Sequence, residues 1–108
     1  MLNALFICSR NRLRSPTAEQ VFARWSGIET DSAGLAPDAD RVLDRDQIDW
    51  ANIIFVMEAA HLRRLKTQFS KDLRGKKVIC LDIPDDYAFM QPKLIALLET
   101  KAGPHLRR

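Results

Sequence analysis

Residues 2–22 read LNALFICSRNRLRSPTAEQVF, and how this stretch is read decides the fold. LNALFI at 2–7 is a short, nearly unbroken apolar run, the pattern of a buried strand. From Ser15 the apolar period becomes helical, with Ala18, Val21, Phe22 and Trp25 on one face. Pro16 suits a first helical turn, where its missing N–H costs no hydrogen bond. Gly27 is placed to stop that helix. Strand, short polar loop, helix: this is the first unit of an α/β fold.

The pattern repeats along the chain. IETDS at 28–32 predicts a second strand, and AGLAPDAD a loop marked by Gly34 and Pro37. DRDQIDW has room for a short helical turn. NIIFVM at 52–57 is a buried, β-branched strand. A helix is predicted from about Glu58 to Phe69, with Leu62, Leu65 and Phe69 inward. Gly75 turns the chain into KVICLD, a fourth strand, and IPDDY is a loop. The last helix is predicted from about Met90 or Pro92 to Lys101, with Leu94, Leu97 and Leu98 inward. Gly103-Pro104 ends it, and HLRR reads as a solvated, frayed tail. This order predicts an α/β protein: one three-layer domain over 1–108, a four-stranded parallel sheet with helices on both faces. Ligands of such folds sit beyond the carboxyl ends of the strands. The segments after Ile7 and after Asp82 both fall on that edge.

The composition is that of a globular protein, with 46% apolar and 29% charged residues in 108. No apolar run reaches the roughly 18–20 residues that span a bilayer. LNALFIC is too short for a signal peptide and lacks a basic flank, so a cytoplasmic location without membrane attachment is expected. In that compartment Cys8 and Cys80 are expected to stay free thiols. Two cysteines with His61 and His105 lack zinc-site spacing, and neither a metal nor another cofactor is expected. His61 reads as a surface or capping residue. A net charge of +3 favours anionic substrates but falls short of a nucleic-acid footprint. Base-stacking platforms are scarce, Trp25 and Phe22 reading as core, so a nucleic-acid partner is not expected.

The loop between the first strand and helix carries the chemistry. Its residues Ser9, Arg10, Asn11, Arg12 and Leu13 can circle one phosphate with their N–H groups inward. Those amides and the helix dipole form an anion site. Arg14 supplies a planar fork matched to two phosphate oxygens. The same positive surroundings favour the Cys8 thiolate, placed beneath the phosphorus for in-line attack. Ser15 can donate to the sulfur when it becomes a leaving group. The C-x5-R-S spacing thus has a mechanical reason. In a blander reading Cys8 is core and the arginines are a solvated loop, but the placement between buried strand and amphipathic helix favours the anion site. Transfer to a thiol also needs a general acid. Asp82, Asp85 and Asp86 are candidates. Asp85, in the loop proper after Pro84, is the choice, and turn or helix capping suits the other two better.

These residues carry a family resemblance. CSRNRLRSPTAE resembles the C-x-G-N-x-C-R-S-P-x-A-E opening of the low-molecular-weight protein tyrosine phosphatases, in particular a small bacterial branch. TDSAG and DWANIIFVMEAAH resemble the family's second and third strands, and DIPDDY its D-V-P-D-P-Y. The resemblance implies a metal-independent phosphatase with Cys8 as nucleophile, Asn11 as loop asparagine, Arg14 as phosphate ligand and Ser15 as loop serine. It also puts a loop-bracing role on Ser32, the general acid on Asp85 and an aromatic wall on Tyr87. The implied substrate is a phosphate monoester, with a phosphotyrosine protein as one form.

The chain also departs from the family pattern. Arg10 replaces the loop glycine, Arg12 stands where an apolar residue is common, and Leu13 replaces a second cysteine. Asp86 replaces the proline after the acid. The region between Gly34 and Ile53 is short, without the aromatic-bearing loop of the substrate slot. A small-molecule or nucleotide-derived phosphate, or a non-catalytic phosphate-binding module, are the alternatives. Arsenate reduction would need a relay cysteine, and the only one, Cys80, reads as strand core.

Overall fold

The computed structural model describes residues 1–107. In chain order the elements are β1 (Leu2–Cys8), α1 (Arg14–Phe22), β2 (Ile28–Gly34), α2 (Arg45–Trp50), β3 (Ile53–Val56), α3 (Ala59–Phe69), β4 (Lys77–Cys80) and α4 (Pro92–Leu106). The strands form one sheet in the order β2-β1-β3-β4. All pairings are parallel, with Cys8 opposite Gly34 and Ile7 opposite Val56. Among the described residues no helix is long and apolar enough to cross a membrane.

Strand alternation splits the core in two. Ala4, Phe6 and Cys8 of β1 face the layer of α1 and α4, where they join Phe22, Phe55, Leu94 and Leu98. Leu5 and Ile7 face α2 and α3, where Ile48, Ile54, Val56 and Leu65 pack. β1 therefore carries apolar side chains on both faces, as an inner parallel strand must. Phe6 is stacked between Phe22 and Phe55, with ring centroids 5.5 and 5.1 Å away. This places Cys8 at the top of the aromatic layer, on the carboxyl edge of the sheet.

Three expectations are corrected. The Gly103-Pro104 pair does not end α4 but lies inside it. A proline in the last turn removes only one helical hydrogen bond. Gly103 is there for contact, because a Cβ would meet the Trp25 ring at 3.1 Å. The residues that follow are not a frayed tail either. Leu106 is buried, His105 lies edge-on to Phe55, and the Arg107 guanidinium sits over Trp25; Arg108 lies outside the described residues. Cys80, expected as core, is only half-buried, because β4 is an edge strand with one neighbour. Its thiol donates to Asp82 Oδ1 at 3.4 Å.

Phe6 is fully buried between two rings and close to the site. Phe6→Ala is expected to cost about 3–5 kcal/mol of unfolding free energy, read as a lower midpoint in urea denaturation.

Candidate active site

β1 delivers Cys8 to the sheet edge, and the 9–13 loop folds back over it. The turn is made at Asn11, whose φ of +57° lies in the left-handed region that asparagine tolerates. Two groups converge on the Cys8 sulfur: the Asn11 backbone N–H donates to it at 3.3 Å, and the Ser15 hydroxyl is hydrogen-bonded to it at 2.9 Å. Asn11 Nδ2 donates to Ser15 Oγ and to Ser32 Oγ, both at 2.9 Å. Ser15 Oγ accepts from the amide, and its own proton is the one a Cys8 thiolate, which can only accept, would take. Ser32 in turn donates to Glu19 Oε1. Asn11, Ser15 and Ser32 are buried, so this chain of bonds lies under the loop, out of water.

A second brace reaches the loop from α3. Glu58 and His61 form a capping box in which the Glu58 N–H donates to His61 Nδ1 at 3.1 Å. Nδ1 is therefore the acceptor nitrogen. Nε2 carries the proton and donates to Ser9 Oγ at 3.0 Å. Burial, helped by the Arg14 cation, pushes the His61 pKa down, while Glu58 and Asp85 oppose the shift. The neutral ring is the form that fits these bonds. His61 is thus a capping residue as the sequence suggested, but a buried one that holds the loop.

α1 starts without a side-chain cap at Leu13, which leaves its first amides available to an anion. Arg14, at its first position, is only 3% exposed. Its Nη1 donates to the Ile83 carbonyl at 2.7 Å and lies 3.0 Å from Glu58 Oε2. Asp85 Oδ1 is 3.7 Å from its Nε. The root of the Asp85 loop is held by its backbone: Arg14 takes the Ile83 carbonyl, and Lys101 Nζ takes those of Leu81 and Asp82 at 3.0 and 3.1 Å.

Above the sulfur lies an open cleft of about 480 Å³ lined by Cys8, Ser9, Arg10, Arg12, Leu13, Arg14 and Asp85. Of the three candidate aspartates, the fold brings only Asp85 to it. Asp82, whose carboxylate accepts from the Cys80 thiol, and Asp86 both lie outside the lining. Tyr87 does not wall the cleft as the resemblance implied. It packs, half-buried, against the aromatic layer. The 84–91 segment folds down toward α1, where the Met90 N–H donates to Thr17 Oγ1 at 2.9 Å.

Glu19, Glu58 and Gly34 are the supports that sequence reasoning missed. The capping pattern E-x-x-H was the available signal for Glu58 and His61. Gly34 has none in sequence. It ends β2 beside Cys8, and a Cβ there would sit 2.6 Å from both the Ser9 carbonyl and Ala39 Cβ. The chain after it is laced to the loop by N–H donation from Leu35 to the Cys8 carbonyl, Ala36 to Ser9, and Asp40 to Arg10. Gly34→Ala is expected to push the loop off its sulfur and lower stability by about 1–3 kcal/mol, seen as a reduced melting temperature together with loss of phosphate binding. His61 predicts a pH effect. Its folded value lies below the unfolded one, so its contribution is full above about pH 6.5. That contribution falls as acid protonates the unfolded chain first. His61→Gln is expected to flatten the fall in unfolding free energy below that pH, measured by denaturant titration at a series of pH values.

No protein-family model and no curated protein matches the chain. Solved structures do. Wzb of Vibrio vulnificus in complex with benzylphosphonate matches with a TM-score of 0.78 at 23% identity, over 96% of each chain. The low-molecular-weight phosphotyrosine phosphatase VcLMWPTP-2 of Vibrio cholerae matches with a TM-score of 0.78 at 18% identity, over 98% of this chain and 95% of that one. The arginine phosphatase YwlE of Geobacillus stearothermophilus gives 0.69 at 21%, over 97% and 95%. At these identities the likeness is one of architecture, and it extends over nearly the whole chain. The chain has the fold of the low-molecular-weight protein tyrosine phosphatases.

Proposed function

We propose that this protein is a cysteine-dependent phosphatase that hydrolyses phosphate monoesters through a phosphocysteine on Cys8. The observation that carries the reading is the convergence on one sulfur, in an open cleft also lined by Arg14 and Asp85, of an amide donor and a hydroxyl. A thiolate at this position accepts from both.

In this mechanism the phosphate sits in the 9–13 loop against the first amides of α1, and the Arg14 fork holds two of its oxygens. The Cys8 thiolate attacks phosphorus opposite the ester oxygen, the S–P bond forms and the P–O bond breaks. Asp85, entering as the carboxylic acid, gives its proton to the departing oxygen. As carboxylate it then takes a proton from water, which attacks phosphorus and releases the thiolate. Ser15 donates to the sulfur as charge returns to it. Glu58 and His61 position Arg14 and Ser9 and touch no reacting atom. The neighbours named as tyrosine phosphatases and as an arginine phosphatase support the phosphatase class over a mere anion binder.

The test is turnover of p-nitrophenyl phosphate in EDTA and reductant. Wild type is expected to turn over and Cys8→Ser to fall to background. Asp85→Asn is expected to lose about 10²–10⁴ in kcat with little change in KM. Full activity in Cys8→Ser would remove the thiol mechanism, and a Cys8→Ser protein that binds phosphate beside an inert wild type would leave a binding module.

A further inference from the structure

Arg14 is the buried arginine at the phosphate position, yet two more arginines line the same cleft. Arg10 and Arg12 leave the outer side of the loop, with side chains 61% and 48% exposed. Both are oriented by the neighbouring 35–42 segment. Arg10 Nε lies 3.8 Å from Asp38 Oδ2. Arg12 donates from Nε to Asp40 Oδ1 at 3.2 Å and from Nη2 to the Asp38 carbonyl at 3.4 Å. Exposed pairs of this kind contribute little net energy. A guanidinium has five N–H donors, so these contacts aim the two cations without using them up. The rest of the lining offers little else to grip: Ser9, Leu13 and Asp85 beside Cys8 and Arg14, with no aromatic ring among the described residues. The part of the substrate beyond its phosphate therefore meets charge, not a ring-shaped slot.

We infer that the preferred substrate is a phosphate monoester with a second anionic group, a carboxylate or another phosphate, close to the scissile one and held by Arg10 and Arg12. This rests on the phosphatase reading of the same cleft. Arginine suits it, since the planar fork takes either group through two parallel hydrogen bonds. Once the first phosphate is seated, the second anion is delivered at high effective concentration.

Binding separates this idea from catalysis. Affinities of the wild-type protein would be measured by calorimetry for benzylphosphonate, for its ortho, meta and para carboxylates, and for a benzyl compound bearing two phosphonates. At low salt the best anion-bearing ligand is expected to bind about tenfold tighter than benzylphosphonate, with the advantage shrinking at high salt. The carboxylate and phosphonate arms tell which second anion is preferred. In Arg10→Gln/Arg12→Gln the affinity ratio is expected to collapse toward one. In Asp38→Asn/Asp40→Asn, which frees the arginines, it is expected to widen, and this pair serves if the first variant fails to fold. Equal affinities in wild type, or an advantage untouched by both variant pairs, would overturn the inference. Absent turnover of p-nitrophenyl phosphate would instead count against the phosphatase reading and leave these ratios to be judged alone.

Discussion

A buried chain of polar groups under the loop is the constraint on which the rest depends. It runs from the Glu19 carboxylate through Ser32, Asn11 and Ser15 to the Cys8 sulfur. No buried side-chain nitrogen or oxygen is left without a partner among the described residues. Burying such groups is tolerable only while all are paired, so removing one member leaves others stranded at full desolvation cost. The chain therefore fixes the loop conformation more firmly than any single bond in it.

The fold supplies that chain with its fixed points. Cys8 comes from β1, Ser32 from β2 next to it, and Ser15 and Glu19 from successive turns of α1. Gln47 of α2 adds a bond to the Ser32 carbonyl at 3.2 Å, tying the opposite layer to the same strand. From the far side of β1, the start of α3 contributes its cap Glu58 and His61 of its first turn. The loop is thus held by elements on both faces of the sheet, with the inner strand as their common reference. The stacked rings of Phe6, Phe22 and Phe55 below give that strand a rigid seat.

Much of this was legible in the sequence, for local reasons. A change of apolar period at Ser15 marks strand, loop and helix, and C-x5-R-S places thiol and guanidinium on one turn. The aspartate after Pro84 is the one the fold brings to the cleft. What sequence could not reveal depends on neighbours. Cys80 lies in an apolar run, but whether such a run is central or at an edge depends on strand order. Gly103 resembles a helix stop until Trp25 is seen against it. Tyr87 fits a wall motif, yet a short segment folding toward α1 carries its ring to the core. Glu19 is an ordinary exposed-type residue in sequence, and only the crossing of elements makes it a support.

The way the Asp85 segment is anchored separates two kinds of freedom. Its root is gripped through main-chain carbonyls at 81, 82 and 83, by Lys101 and Arg14, neither of which belongs to the segment. A carbonyl is supplied by every residue type, so this grip is indifferent to which side chains the segment carries. The place of the carboxylate is then set by the scaffold, while the exposed Pro84 and Asp86 on either side of it supply no side chain to the grip. A lineage could revise what enters the cleft, one substitution at a time, without rebuilding the machinery beneath.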